Sequence, residues 1–571
     1  MNPADRFQTA LGLSPLFARL LAARGWSETA ALTEFLYPRL EHAHSPRLML
    51  GMAAAVERIL HAVAQGELIR ILGDYDADGT LATVILRQAL QTLGARVSFH
   101  LPKRLDEGYG LHVAAIDGSV ADGVTLAITV DTGIREHAAL EHARAHSLDV
   151  IVTDHHLPSA TLPPALVILN PHQPGCSYPD KGLCGSGVAF KLAHALLDQA
   201  GKLANPQNSA WPPALQSYLK LVAIASVADS VPLLGENRVF TRFGLQGLAQ
   251  PVNPGLRALL ATALPKADRP ISSSDIGFRI APRINAAGRM GAADQIVDLF
   301  FASASEAPAR AQALDALNLT RQQLCEKIQA EIADRCARDP DLLQPPLLLL
   351  AGEGWHRGVI GIVASRVLSQ TQKPVVVVAL ENGFAHGSGR SPANFHLLDA
   401  IATCADLFDR FGGHAQAVGF QLRAERLPEL RDRLSKLNVA GATSDAADTD
   451  TFDVTLAELT WPFARELQRL EPFGEANREP VFRTRGVTLA APPQVLKERH
   501  LKFNLMQEGA RQTALWWNAP QPFPTLASGA TLDIEFRLEA SSHPQYGDRL
   551  QLILSNFMVR SASSMAAGTT L

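Results

Sequence analysis

The chain has 571 residues and a mass of 61.4 kDa, which predicts three to four domains at roughly 150 residues each. Its content of 47% hydrophobic and 19% charged residues excludes a largely disordered protein. With 52 Lys and Arg against 56 Asp and Glu, the net charge is −4. This charge excludes a protein that binds nucleic acid by overall positive charge, but not one with a local basic groove.

Cysteines and apolar runs bear on the compartment. No two of the five cysteines form a CxxC pair, which argues against structural zinc and favours a reducing compartment; they are Cys176, Cys184, Cys325, Cys336 and Cys404. The apolar runs 347–351 and 375–380 are far shorter than the roughly 20 residues of a membrane span. Arg19 interrupts the apolar stretch near the N-terminus, which argues against a secretory signal. We therefore expect a cytoplasmic protein that does not bind membranes.

Short β-rich runs alternate with helical stretches between residues 67 and 170, which predicts an α/β sheet. The predicted strands are 68–73, 96–101, 125–130, 149–153 and 165–169, with a helix over 80–93. The longer crossovers allow the strands that they connect to be parallel. Residues 187–317 are predicted to be mostly helical.

The second half of the chain predicts three further parts. Residues 309–338 lack Pro and Gly and follow Pro308, which predicts one long helix linking two halves. A second α/β unit follows, with strands at 347–350 and 375–380 and a helix at 359–369. Residues 451–571 carry alternating runs such as 531–538 and 550–554 and 12 of the 35 aromatic residues, which predicts a small β-barrel. The segment 441–449 is a predicted linker, and the tail after Arg560 is predicted to be disordered.

Acidic residues and histidines directly follow three of the predicted strands. Asp74, Asp76 and Asp78 follow 68–73, Asp131 follows 125–130, and Asp154, His155 and His156 follow 149–153. Because the carboxyl ends of parallel strands meet at one edge, these side chains are expected in one crevice. Crowded carboxylates repel one another, and divalent cations relieve that repulsion. Asp and His together suit Mg²⁺ or Mn²⁺, and a shared Asp can bridge two ions.

Each of these motifs also has a purely structural interpretation. Asp-Ala-Asp-Gly is common in turns, Asp-Thr-Gly is common at helix starts, and a His pair can cap a helix. Their joint occurrence after three strands favours the metal site. Asp229, in the apolar run 221–231, suits a cap or turn as well as a ligand.

Several basic residues are candidates for binding phosphate. Arg279, Arg283 and Arg289 lie with Asn285 in the segment 278–291, which contains no acid, although such triplets are often solvated. Residues 387–391, which include Ser388 and Arg390, predict a flexible anion-binding loop. Arg104 follows a strand end. His414, after two glycines, is predicted to face substrate from a tight helix start, or else to be a core histidine.

Three aromatic residues of the predicted barrel could stack on unpaired bases: Phe503, Trp516 and Trp517. Residues 451–560 hold 12 Lys and Arg and 12 Asp and Glu, so this barrel is not strongly basic. Most of its aromatic residues are expected in its core.

The motifs resemble those of the DHH phosphoesterase superfamily, and the rest of the chain resembles its RecJ family of single-stranded-DNA-specific exonucleases. The matching motifs are Asp76-x-Asp78, Asp131-Thr-Gly and Asp154-His-His, with further support from 283–290, 387–391 and 412–419. The resemblance covers roughly residues 45–560. It implies an α/β fold in which a parallel-sheet DHH domain is joined by a long helix to a second α/β, DHH-associated domain, followed by a C-terminal OB-type β-barrel. The expected boundaries are an N-terminal helical segment at 1–45, the DHH catalytic domain at 46–300, the connecting helix at 301–340, the DHH-associated domain at 341–440, the OB-like domain at 450–560 and the tail at 561–571.

The resemblance also implies roles for individual residues. Two ions, Mn²⁺ or Mg²⁺, would be held by Asp76, Asp78, Asp131, His155 and Asp229, with Asp131 bridging. His156 would lie near the scissile phosphate, Asp154 would orient the histidines, and Asp74 would be either a ligand or a supporting residue. Arg104, Ser388 and Arg390 would hold a terminal 5′-phosphate.

The activity implied is 5′→3′ hydrolysis of single-stranded DNA to 5′-mononucleotides, in recombination and repair, together with a single-strand-binding protein and a helicase. The closed multidomain plan favours a monomer. One alternative is a phosphoesterase for nano-RNA, cyclic dinucleotides or pyrophosphate, which would not need the barrel. Another is a non-catalytic DNA-binding scaffold, which should have lost metal ligands.

Overall fold

A computed structural model describes residues 2–104, 107–108, 110–203, 211–265, 269–436, 451–543 and 547–560. The chain divides into two compact units: a larger unit of His44–Val231 and Phe243–Ala447, and a smaller unit of Met1–Ala43, Pro232–Arg242 and Asp448–Leu571. The predicted linker 441–449 and tail 561–571 lie outside the described residues. No single helix of the described part is long and apolar enough to cross a membrane.

The helices are α1 (Pro3–Leu11), α2 (Pro15–Ala23), α3 (Thr29–Leu36), α4 (Met52–Gln65), α5 (Ala77–Thr92), α6 (Val113–Ala121), α7 (His137–Ala145), α8 (Gly185–Gln199), α9 (Pro213–Ala228), α10 (Gly235–Leu248), α11 (Pro254–Ala263), α12 (Ser273–Asp275), α13 (Ala281–Arg289), α14 (Asp294–Phe300), α15 (Ala307–Arg338), α16 (Ile360–Thr371), α17 (Leu397–Ala402), α18 (Leu427–Ser435) and α19 (Trp461–Leu467). A π-helical turn, Ile276–Ile280, lies between α12 and α13.

The strands are β1 (Leu68–Gly73), β2 (Arg96–His100), β3 (Leu126–Val130), β4 (Asp149–Thr153), β5 (Val167–Leu169), β6 (Leu348–Glu353), β7 (Val375–Glu381), β8 (Phe384–Arg390), β9 (Arg410–His414), β10 (Ala417–Arg423), β11 (Thr451–Asp453), β12 (Val481–Leu489), β13 (Gln494–Leu496), β14 (His500–Gln507), β15 (Ala510–Trp516), β16 (Thr531–His543) and β17 (Gly547–Val559).

The first sheet of the larger unit is the parallel sheet predicted from the sequence. Its order is β2-β1-β3-β4-β5, and every neighbouring pair is parallel. All five residues of β3 are buried, as expected for a strand covered by helices on both faces. Because β1, β3 and β4 are neighbours, the residues after each of them meet at one edge. The strand predicted at 165–169 is shorter, since β5 begins at Val167.

The long helix α15 has 32 residues and spans about 48 Å at 1.5 Å per residue. Near its end, Arg335 NH1 donates to the Ala351 carbonyl at 2.7 Å, and Glu331 accepts from Trp355 Nε1 at 2.9 Å. These bonds hold α15 against the second sheet of the larger unit. The predicted connecting helix is therefore confirmed.

The second sheet has the order β6-β7-β8-β10-β9 and is mixed, because only β6 and β7 are parallel. Two sequence predictions are wrong here. The segment 387–391, expected to be a flexible loop, lies largely in β8, where Ser388 pairs with both β7 and β10. A strand backbone is used in the ladder and cannot form an anion nest. Likewise, His414 ends strand β9 rather than starting a helix.

The smaller unit contains a seven-stranded sheet in the order β11-β12-β16-β17-β15-β14-β13, which an additional β12–β14 pairing closes into a barrel. Its core includes Phe482, Phe503 and Phe536, with α1, α2 and α3 contributing apolar residues such as Phe17. The predicted C-terminal barrel is thus confirmed.

Arg238 holds the segment Pro232–Arg242 within this smaller unit. Its side chain is 1% exposed and stacks on the Phe35 ring at 3.8 Å. The guanidinium donates to four carbonyls, those of Phe35, Leu470, Arg469 and Glu471. One cation therefore satisfies four acceptors that come from two distant parts of the chain.

We expect Arg238→Met to lower the free energy of unfolding of the smaller unit by roughly 3–5 kcal/mol, because it leaves buried carbonyls without donors. Hydrogen exchange of β12 and β16 amides under increasing urea measures this. Arg242→Met is the matched control, since Arg242 donates a solvent-exposed bond to the Glu471 carbonyl. This substitution should cost less than about 1 kcal/mol. Equal exchange in both variants would contradict this role of Arg238.

Candidate active site

The carboxyl edge of the parallel sheet brings the predicted acidic residues and histidines together. We call Asp74, Asp76, Asp78, Asp131, His155, His156 and Asp229 the acidic centre. His155 Nε2 lies 3.1 Å from Asp131 Oδ1, 3.6 Å from Asp229 Oδ2 and 3.9 Å from Asp78 Oδ2. Asp229 follows α9 as its C-terminal cap, so it is both a cap and a member of this cluster.

Within the acidic centre, three overlapping groups offer one ligand atom per residue, with the atoms of each group within 4.8 Å of one another. The groups are Asp131, His155 and His156; Asp78, His155 and Asp229; and Asp74, Asp76 and Asp131. Asp131 and His155 each belong to two groups. A carboxylate shared in this way can lie between two cations.

The electrostatics of the acidic centre disfavour bare negative charge. Burial and the neighbouring Asp78 raise the pKa of Asp131 well above its usual value. The same two causes raise the pKa of Asp229 to about 9. Burial and Asp76 raise the pKa of Asp74 well above its usual value, whereas burial lowers that of His155. Carboxylates held so close favour a bound cation.

Three side-chain atoms of the acidic centre are buried without a hydrogen-bond partner among the described residues: Asp74 Oδ1, Asp131 Oδ1 and His155 Nε2. The last two lie 3.1 Å apart, but their orientation is not that of a hydrogen bond. Buried polar atoms are normally satisfied, so unsatisfied atoms that converge need an explanation. Oxygen and imidazole nitrogen are donors that Mn²⁺ and Mg²⁺ accept. The residues present therefore fit divalent metal binding.

Asp78 is fixed by the start of α8. Its Oδ2 accepts from the Gly185 amide at 2.6 Å, and its Oδ1 from the Ser186 amide at 2.7 Å. A helix N-terminus stabilises such a carboxylate. A Cβ on Gly185 would lie 2.6 Å from Asp131 Oδ1, so only glycine allows α8 to approach the acidic centre this closely.

Asp154 organises the two histidines. Its Oδ1 accepts from the amides of His155 and His156, at 2.7 and 3.1 Å, and lies 2.7 Å from His156 Nδ1. Its Oδ2 accepts from the Ile134 amide at 3.0 Å. Burial alone would raise the pKa of Asp154 and lower that of His156, but the hydrogen bond between them outweighs this effect. As a result, the pKa of Asp154 is lowered and that of His156 is raised to about 9.

Asn285, predicted to bind phosphate, contacts the loop of the acidic centre. Its Oδ1 accepts from the Ala77 amide at 2.9 Å. In the same loop, Asp76 Oδ1 caps α5 by accepting from the amides of Asp78 and Gly79. Asn285 thus positions the Asp76 loop.

Three predicted phosphate-binding residues form what we call the arginine cluster: Arg104, Arg289 and Arg390. Burial and the charge of Arg104 lower the pKa of Arg289, to about 10, and that of Arg390. Arg390 NH1 lies 3.3 Å from Ser388 Oγ, and a Cβ on Gly361 in α16 would lie within 3.2 Å of both side chains. Partly buried cations that repel one another favour an anion among them.

The other two predicted arginines lie in ion pairs. Arg283 Nε and NH2 contact Asp315 Oδ1 of α15 at 2.9 and 2.8 Å. Arg279 is exposed, and its NH1 lies 3.6 Å from Asp275 Oδ1. The segment 278–291 itself contains no acidic residue, but Asp275 and Asp315 lie close to its arginines in the folded chain. For Arg283, the structure thus shows an ion pair, and its role in binding phosphate stays a prediction.

His414 lies near the acidic centre. Burial lowers its pKa, and the charges of Arg135 and His156 lower it further. Arg135 Nε donates to the Leu157 carbonyl, next to the histidine pair, at 2.7 Å. His414 is exposed at the end of β9, so it is not a core histidine, and it lies within the electrostatic influence of His156.

The three candidate stacking residues of the barrel differ in exposure. Phe503 is fully buried, so the prediction that its ring stacks on bases is wrong. Trp516 is half-buried and packs edge-on against Phe557. Trp517 is 48% exposed and meets the His500 ring edge-on at 4.8 Å, so it stays a candidate.

Tyr75 and Gly185 were not predicted from the sequence to be site residues. Tyr75 lies under Arg104, with the guanidinium 5.0 Å from the ring centre, and burial raises its pKa to about 12. Its ring therefore lies between the acidic centre and the arginine cluster. Its place inside Asp74-Tyr75-Asp76 was the available signal. For Gly185, the signal was the Gly-Ser-Gly start of α8.

Family models match three regions of the chain. The DHH family N-terminal domain matches residues 68–225, the DHHA1 domain matches 344–439 and the RecJ OB domain matches 451–556. These regions contain the parallel sheet, the mixed sheet and the barrel. The predicted fold class is therefore confirmed.

Curated relatives and solved structures agree with these matches. Proteins named single-stranded-DNA-specific exonuclease RecJ are 38% identical in Dickeya dadantii (88% of each chain) and 36% identical in Escherichia coli (86% of each). The Bacillus subtilis protein of that name is 35% identical over 92% of this chain, which spans 65% of that relative. Thermus thermophilus RecJ with Mn²⁺ superposes with a TM-score of 0.79 at 31% identity, covering 98% of this chain and 78% of that one. Its Mg²⁺ complex gives 0.74 at 28%, covering 98% and 77%.

We expect Gly185→Ala to weaken Mn²⁺ binding by at least about tenfold, because the added methyl group would displace Asp131. Isothermal titration calorimetry measures this. Gly118→Ala is the matched control, since Gly118 lies within α6 and a Cβ there meets nothing within 4 Å. Unchanged Mn²⁺ affinity in Gly185→Ala would show that this close approach does not shape the site.

We expect the metal-free protein to lose stability as pH rises from 6 to 9. The pKa of Asp229 is raised to about 9, so the folded state keeps a proton that the unfolded chain releases near pH 4. The resulting stabilisation is complete below pH 4 and is lost as pH approaches 9. The rise in Tm caused by Mg²⁺ should therefore be larger at pH 8.5 than at pH 6.

Thermal melts of three proteins test this expectation. Asp229→Asn should reduce the slope of the metal-free Tm against pH without abolishing it, because Asp74, Asp131 and His156 also have raised pKa values. Asp432→Asn, at an exposed position on α18, should leave the slope as in the wild type. A wild-type Tm that stays constant or rises between pH 6 and 9 without metal would contradict it.

Proposed function

Because the chain belongs to the RecJ family of single-stranded-DNA-specific exonucleases, we propose that it hydrolyses single-stranded DNA from a 5′ end and releases 5′-mononucleotides. The observation that carries this proposal is the acidic centre, where Asp131 belongs to two ligand groups at the carboxyl edge of a parallel sheet. The arginine cluster lies in the same compact unit and suits a terminal phosphate. An acidic centre together with an arginine cluster that can hold a terminal phosphate fits an exonuclease better than an endonuclease.

We assign two divalent ions, Mn²⁺ or Mg²⁺, to the acidic centre. The proposed ligands are Asp76, Asp78, Asp131, His155 and Asp229, with Asp131 shared. Asp74, whose buried Oδ1 has no hydrogen-bond partner within the described ranges, joins them as a ligand. When bound, such ions lower the pKa of water and neutralise phosphoryl oxygens.

The chain's own residues orient the substrate. Arg104, Arg390 and Ser388 hold the 5′-phosphate, which places the first phosphodiester bond at the acidic centre and fixes the direction of cleavage. His156, kept protonated by Asp154, donates a hydrogen bond to a non-bridging oxygen. His414, from the mixed sheet, approaches the same phosphate.

Domain boundaries and cellular context complete the proposal. The expected domains at 46–300, 341–440 and 450–560 contain the three matched regions. The protein acts as a monomer in recombination and repair, on strands supplied by a helicase and bound by a single-strand-binding protein; the family resemblance supports these roles. The five cysteines are free, which supports a cytoplasmic location.

The two alternative functions fit less well. A phosphoesterase for dinucleotides has no need of the barrel formed by β11–β17. A non-catalytic scaffold would not be expected to keep all the carboxylates and histidines of the acidic centre.

Digestion of a 5′-phosphorylated single strand with Mn²⁺ or Mg²⁺ tests the proposed function. We expect 5′-mononucleotides as the product, and a loss of at least about 10³-fold in rate for Asp131→Ala, because metal-ion catalysis supplies several kcal/mol. The exposed Asp432→Ala should retain full activity. Internal fragments as early products, or an active Asp131→Ala protein, would refute the proposal.

A further inference from the structure

Phe278 has the most exposed large apolar side chain of the described residues, with 83% of its surface open to solvent. Isolated exposed apolar residues are common, so exposure alone assigns no role. This ring, however, lies in the π-helical turn Ile276–Ile280. Such turns are rare and frequently mark functional sites. The location of the turn therefore decides what the ring does.

The π-helical turn packs against the end of α9 that leads to Asp229 of the acidic centre. A Cβ on Gly277 would lie 3.8 Å from Val227 Cγ1. Val227 is in the last turn of α9, two residues before Asp229. Phe278 therefore directly follows a residue that packs against this end of the helix.

The helical segment that continues from Phe278 links this ring to both ends of the proposed substrate path. Asn285 and Arg289 lie in α13, which directly follows the π-helical turn. Asn285 contacts the Asp76 loop through Ala77, and Arg289 belongs to the arginine cluster. Over the eleven residues from Arg289 to Phe278, a helix covers about 16 Å. The segment thus runs from the arginine cluster, past the Asp76 loop, to the exposed ring.

We propose that Phe278 stacks on a base of the single strand on the 3′ side of the scissile phosphate, at the third nucleotide from the 5′ end or beyond. This inference rests on the proposed function and assigns a binding residue to it. Aromatic rings stack on bases of any sequence, but only on bases that are unpaired, so the ring favours single strands over duplexes. The neighbouring Arg279, with 57% of its side chain exposed, is placed to meet the phosphate next to that base.

Steady-state hydrolysis of two 5′-phosphorylated substrates, a dinucleotide and a 12-nucleotide single strand, tests the inference. We expect Phe278→Ala to raise KM for the longer strand by at least about fivefold, as alanine substitution of a stacking ring does. Its kcat/KM for the dinucleotide should equal that of the wild type, because a dinucleotide ends at the acidic centre. Phe278→Trp should restore the low KM. Val252→Ala, which removes another exposed apolar side chain (75% exposed), should leave both substrates unaffected.

A 2-aminopurine placed in turn at positions 3 to 6 from the 5′ end supplies a readout independent of turnover. Measured in EDTA, its fluorescence should be quenched at one of these positions by the wild type and Phe278→Trp, but not by Phe278→Ala. If Phe278→Ala matches the wild type on the long strand, or is impaired equally on both substrates, the stacking role is wrong. If the wild type degrades neither substrate, it is the proposed function that fails.

Discussion

The repulsion between carboxylates buried at one sheet edge is the constraint on which the rest of this structure depends. Burial and mutual proximity raise the pKa values of Asp74, Asp131 and Asp229. An arrangement of this kind is costly unless protons or cations neutralise it. The parallel sheet produces the proximity, because β1, β3 and β4 are neighbours that end at the same edge. The parallel sheet thus also creates the carboxylate repulsion that a bound metal ion would relieve.

Two kinds of residue in and around the acidic centre prepare it for a cation. Asp78 and Asp154 have both carboxylate oxygens engaged by backbone amides, which fixes the loops. Asp131 and His155 instead keep buried atoms that find no hydrogen-bond partner in the described part of the chain. The first kind provides rigidity and the second provides open ligand atoms, and both are needed for a preorganised metal site.

The sequence predicted the parallel sheet, the long helix and the acidic centre because each rests on local signals: apolar runs, uninterrupted helix formers, and polar residues at strand ends. It did not reveal contacts whose partner is distant in the chain. Arg283 has no acid near it in sequence, yet Asp315 pairs with it. The glycines of 387–391 suggested a loop, yet a Cβ on Gly387 would lie 2.1 Å from Phe420 Cζ, so glycine serves packing within a strand. Likewise, the sequence around Phe503 did not reveal that its side chain points into the barrel core.

The helix α15 carries a further consequence, because it is held at both ends. Arg283 pairs with Asp315 near its start, and Glu331 and Arg335 contact the mixed sheet near its end. Inserting one residue between these anchors would turn everything beyond it by about 100° and shift it by about 1.5 Å. The length of α15 therefore sets where Arg390 lies relative to Arg104. Substitutions on the exposed side of α15 leave this placement unchanged, whereas insertions or deletions within the helix alter it.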